Sequence, residues 1–131
     1  MLQPDQIPQL LLAACPAFDG PYREHVAENG EDLLYVAAGA FANVLLSLQL
    51  SGDEEQLGRA AEVIERMHVE GTPWVREFAT IGLLEGVQNS WENQGTDPEL
   101  FALRLGPESL RWWKGLNNFW EGKSPVVRSD A

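Results

Sequence analysis

The chain has 131 residues, 44% of them apolar, one cysteine and a formal charge of −11. That length makes one domain, able to bury roughly two thirds of its unfolded surface without a disulfide or a metal, and the apolar share excludes wholesale disorder. Cys15 alone leaves no intramolecular disulfide, and the acid surplus opposes contact with nucleic-acid phosphates or anionic membranes, which recruit Lys and Arg.

The start, Met1-Leu2-Gln3-Pro4-Asp5, has neither the basic residues nor the long apolar run of a signal peptide, which points to the cytoplasm. Helix punctuation then recurs. Pro21, Pro73, Pro98 and Pro107 fit a first helical turn, where the missing N–H costs nothing, and each follows a plausible cap in Gly20, Thr72, Asp97 and Gly106. Ser51 to Glu54 and Thr96 to Glu99 read as capping boxes, and Gly30, Gly52 and Gly71 as helix ends. These marks predict helices over 5–14, 21–29, 32–50, 53–70, 73–91, 98–105 and 107–121. Residues 1–121 form the helical domain, and 122–131, with no apolar period, read as a flexible tail.

Periodicity supports the cuts. Leu57, Ala60, Ala61, Ile64, Met67 and His68 share one helical stripe, with Glu55, Arg59, Glu62 and Arg66 opposite. The run 33–52 carries no charge and has the length to span a bilayer. Asn43, Ser47 and Gln49 interrupt it, and acids rather than bases flank it. It reads as the buried central helix, 33–50, of a compact all-α stack of six to seven antiparallel helices. In the last helix Trp113 and Trp120 read as structural, and Trp112, offset by about 100°, as the aromatic nearest an interface.

Catalytic patterns are scarce. There is no Gly-rich phosphate loop, no Gly-x-Ser-x-Gly elbow and no His-Glu-x-x-His. Cys15 lacks a local cation to activate it and reads as a buried small residue. Glu65-Arg66-Met67-His68 has the spacing of two metal ligands on one helical face, but a carboxylate di-metal bundle needs two such motifs, and only one exists. His68 therefore reads as a hydrogen-bonded core histidine. No catalytic, metal or cofactor residue is assigned, and the expectation is a non-enzymatic protein without cofactors.

The charge is uneven. Up to Gln94 fifteen acids face four bases, and from Asp97 onward there are five of each. Such a field attracts a basic protein and speeds encounter with it. The expected partner-binding residues are Glu24, Glu28, Glu31, Asp32, Asp53, Glu54, Glu55 and Glu62 for steering, with Tyr22 or Trp112 as aromatic anchor. The alternative is a helical scaffold or regulatory module taking a peptide or small apolar ligand in an inter-helix groove.

The stretch Leu105-Gly106-Pro107-Glu108-Ser109-Leu110-Arg111-Trp112-Trp113, with Phe119-Trp120 after it, resembles the end of a family of short, uncharacterised bacterial all-helical proteins, a domain of unknown function. Gly30-Glu31-Asp32-Leu33-Leu34 and Phe78-Ala79-Thr80-Ile81-Gly82-Leu83-Leu84-Glu85 fit it too, so that the likeness covers Tyr22 to Trp120. The resemblance implies the helical fold and brings no catalytic residues. Some similar small acidic proteins are immunity partners of bacterial toxins, which would make the basic partner a toxin.

Overall fold

The computed structural model describes residues 1–130. Among them are eight α-helical segments and no strand: α1 (Ile7–Ala14), α2 (Asp19–Asn29), α3 (Leu34–Ser51), α4 (Glu54–Glu70), α5 (Pro73–Glu77), α6 (Glu85–Asn93), α7 (Glu99–Ala102) and α8 (Pro107–Trp120). Helices α5 and α6 are the ends of one continuous rod whose middle, Phe78–Leu84, is wound as a π-helix. Single 3₁₀ turns, Pro4–Gln6 and Pro16–Phe18, lead into α1 and α2. The expected all-α domain is what forms.

Most predicted boundaries hold for the predicted reason. Thr72 caps α5 by accepting the Val75 N–H, and Gly30 and Gly52 close their helices at φ 79° and 77°. Others hold for a different one. Asp53, not Ser51, caps α4, accepting the Gln56 N–H at 3.1 Å. Helix α2 begins at Asp19, two residues before Pro21. Gly71 sits at φ −78°, so a left-handed turn is not what it provides. It lies where a Cβ would overlap the Met67 carbonyl oxygen and Val75, and it lets the N-terminal strand-like residue Leu2 pin the α4–α5 corner. There the Leu2 N–H donates to the Glu70 carbonyl at 2.8 Å and the Thr72 N–H to the Leu2 carbonyl at 3.0 Å.

Helix α3 runs through the centre of the stack, packed on α2, α4, α6 and the π-segment. It is not sheathed on every side. Ala38, Phe41, Leu45 and Leu48 are buried, whereas Val36, Gly39, Asn43, Ser47 and Leu50 form an exposed stripe. Asn43 and Ser47 thus mark the open face of a core helix, while Gln49 is half-buried. It is the one helix among the described residues long and apolar enough to cross a membrane, and 44% of that window is buried in the protein. The π-segment is enclosed more completely, with only Ile81 partly open.

Tryptophan placement follows whether the indole N–H finds an acceptor. Trp91 and Trp113 are buried and donate to the Ala42 carbonyl at 3.2 Å and to Glu99 at 2.8 Å. Trp120, expected to be structural, is instead 57% exposed at the end of α8, its ring edge against Phe119. Gly122, at φ 77°, follows the end of that helix. The tail returns along α8: the Asp130 N–H donates to the Arg111 carbonyl, and the Arg128 carbonyl lies against Gly115. Ser124 is buried and Val127 packs on the core, contacts that the tail's lack of periodicity gave no sign of.

Candidate functional site

The ten expected partner-binding residues do not form one surface. Three of them meet. Tyr22, Glu31 and Asp32 line a cleft of about 520 Å³ with Asp5, Leu34, Trp74 and residues from the N-terminal turn. Tyr22 comes from α2 and Trp74 from α5, and three carboxylates and no base share their cleft. None of those carboxylates has an ion-pair partner among the described residues. The Tyr22 hydroxyl is pushed above its usual value by burial and then by Glu31. Trp74 is 41% exposed, stacked on Phe78 at 5.5 Å and edge-on to Tyr35 at 5.8 Å.

The other acids lie elsewhere. Glu24 and Glu28 flank a shallow groove between α2 and α3 with His25 and the open stripe of α3. On α4, Asp53 is spent as a helix cap, which holds its carboxyl below the usual range. Glu54 receives Arg104 in a fork, Nε to Oε2 at 2.8 Å, and Glu55 pairs with Arg59 at 3.2 Å. Glu62 is exposed and unpaired among the described residues. Thus two members of the expected steering set on α4 are already neutralised by bases from the chain.

A second cleft, about 550 Å³, opens on the other flank of α5. Pro73, Ile81, Trp112 and Val127 form its walls, Arg76, Glu77 and Glu108 stand at its edge, and Thr80 and His68 form its floor. Trp112 is half-buried here, on the side away from the acidic cleft. His68 is buried, with Nδ1 2.8 Å from the Ser109 hydroxyl and Nε2 2.8 Å from the Thr80 hydroxyl. Burial pushes the imidazole down to about 4, against the opposite pull of Glu65 and Glu108, so it is neutral at pH 7. A neutral ring has one donor and one acceptor nitrogen.

One of the two hydroxyls therefore receives the ring N–H and the other donates to the bare ring nitrogen. The Glu65 carboxylate accepts the N–H groups of Glu108 at 3.1 Å and Ser109 at 2.8 Å. The network joins Thr80, His68, Ser109 and Glu65. The Glu-x-x-His pair thereby clamps the first turn of α8 to α4, with an acid at a helix N-terminus where the backbone dipole favours it. Gly106 is needed there because a Cβ would overlap the Glu65 carboxylate.

This relay was invisible as a unit in the sequence. Its members stand 12 and 41 residues from His68, on three different elements. The π-winding of the segment that carries Thr80 leaves no pattern in composition, although such windings gather at functional sites. Cys15 is buried, and desolvation pushes its thiol up to about 11. Among the described residues no group of three or more His, Cys, Asp or Glu converges as a metal site.

Residues 8–121 match the family described as a domain of unknown function, DUF7674, and the chain belongs to that family. No curated protein and no solved structure matches it.

Proposed function

With the family fixed and no activity attached to it, we propose that this chain is a non-enzymatic, cytoplasmic binding protein that captures a basic segment of another protein, in the manner of an immunity-type inhibitor masking a toxin. The cleft of Tyr22 and Trp74, rimmed by Asp5, Glu31 and Asp32, carries this reading. Two aromatic faces attract a cation through their quadrupoles, and three unpaired carboxylates supply counter-charge around them. A Lys or Arg side chain inserted there gains both. Long-range steering by the surplus of acids raises the encounter rate, while aromatic contact slows release.

A hexa-arginine peptide titrated into the protein separates this cleft from bulk charge. Replacing Glu31 and Asp32 with Lys, or Trp74 with Ala, should weaken binding at least about tenfold. Reversing Glu54, Glu55 and Glu62 should slow association mildly and leave dissociation unchanged. Equal losses from both reversals would reduce the charge to a solubility device. The salt dependence gives a second reading, since the Debye length shrinks from roughly 14 to 6 Å between about 50 and 300 mM salt.

A further inference from the structure

The cleft on the other flank of α5 has a different chemistry. Along one face of that rod, Pro73, Arg76, Glu77, Thr80 and Ile81 succeed one another from the exposed rim to the buried floor. Arg76 and Glu77 are exposed neighbours of opposite charge, and neither has an ion-pair partner among the described residues. The third rim charge, Glu108, is held by Arg111 at 3.0 Å. Six of the nine bases are paired, which makes a free guanidinium beside a free carboxylate at a cavity mouth a distinct feature of this acidic chain.

Below that pair the walls are apolar, and the floor carries Thr80, whose Oγ1 lies 2.8 Å from His68 Nε2. Whichever way its bond to His68 runs, the hydroxyl keeps a lone pair that can accept from a donor. From Arg76 to Thr80 is four residues, about one helical turn. A ligand suited to this site has an anion and a cation side by side, a flat apolar body beneath them, and an N–H or O–H at its far end. We propose that this cavity binds a free L-α-amino acid with an aromatic side chain bearing a ring N–H or O–H. The α-carboxylate meets Arg76, the α-ammonium meets Glu77, and the ring lies against Trp112 and Ile81 with its donor on Thr80. The cavity volume, about 550 Å³, accommodates an indole side chain. This site is independent of the acidic cleft, and either can fail without the other.

Isothermal titration with L-tryptophan, tryptamine, indole-3-propionate and L-1-naphthylalanine tests each contact in turn. L-tryptophan should bind one-to-one with a Kd of about 1 mM or tighter, as expected for a ligand of this size with two ionic contacts. Each of the other three lacks one recognised group and should bind about tenfold more weakly, because its counterpart in the site is left unpaired. The variants then assign the contacts. Arg76→Gln should abolish the preference over tryptamine, Glu77→Gln the preference over indole-3-propionate, and Thr80→Val the preference over naphthylalanine. If Thr80→Val fails to fold, the wild-type ratio of tryptophan to naphthylalanine decides that contact. No saturable binding by about 10 mM, a value far above ordinary recognition, would overturn the proposal. So would equal affinity for all four compounds, or preferences that survive the rim variants.

Discussion

The two flanks of α5 treat polar groups in opposite ways. On the Trp74 side, carboxylates stand at the surface without partners and aromatic faces lie open beside them. On the His68 side, the imidazole bonds both hydroxyls and the Glu65 carboxylate accepts the Ser109 N–H, so the buried polar groups partner one another. Charge left unpaired at the surface costs the fold little and acts outward. Polar groups taken into the core must satisfy one another, and in doing so they fix α4, α8 and the π-segment together. The first flank should therefore tolerate substitution and the second should not.

The largest effect expected is at His68. Replacement by Ala leaves a cavity and strands two buried hydroxyls, for a loss of about 4 kcal/mol in chemical denaturation. Leu fills the space but still orphans Thr80 and Ser109, so about 2 kcal/mol should go. A loss below about 0.5 kcal/mol for either variant would mean that the relay adds nothing to stability.

Acid titration gives the next effect. The imidazole is neutral in both folded and unfolded states above its ordinary value of 6.5, and in the fold it is pushed down to about 4. Between those limits the unfolded chain takes the proton and the folded one resists it. Stability should fall by about 3 kcal/mol as pH drops from 6.5 to 4, and most of the upper part of that fall lies above the range of the carboxylates. In the Leu variant the decline from pH 6.5 to 5 should disappear.

Gly115→Ala is expected to leave the helical domain nearly as stable while releasing the tail. Ala favours the helix by up to about 1 kcal/mol, but its Cβ occupies the place of the Arg128 carbonyl. Tryptic cleavage after Lys123 and Arg128 should accelerate, with melting changed by only a few degrees. Protection equal to wild type would show that the tail accommodates the methyl without leaving α8. The smallest change belongs to the open flank: Glu31→Lys with Asp32→Lys should shift stability by less than about 0.5 kcal/mol. A larger loss there would dissolve the contrast between the two sides.

The sequence alone determined the helical fold, nearly every helix end and the burial of His68, because capping, proline placement and apolar period act over a few residues. It also carried the total charge, which is additive and independent of shape. The composition of the candidate sites was decided only by tertiary structure. Arg104 removes Glu54 from the steering set and Asp53 becomes a cap, while Asp5 and Trp74 join Tyr22, Glu31 and Asp32. Ser109 reaches His68 from 41 residues away, and Gly106 clears the space for Glu65. Such meetings depend on how helices cross and how one rod is wound, and no local pattern records where a side chain will find its partner.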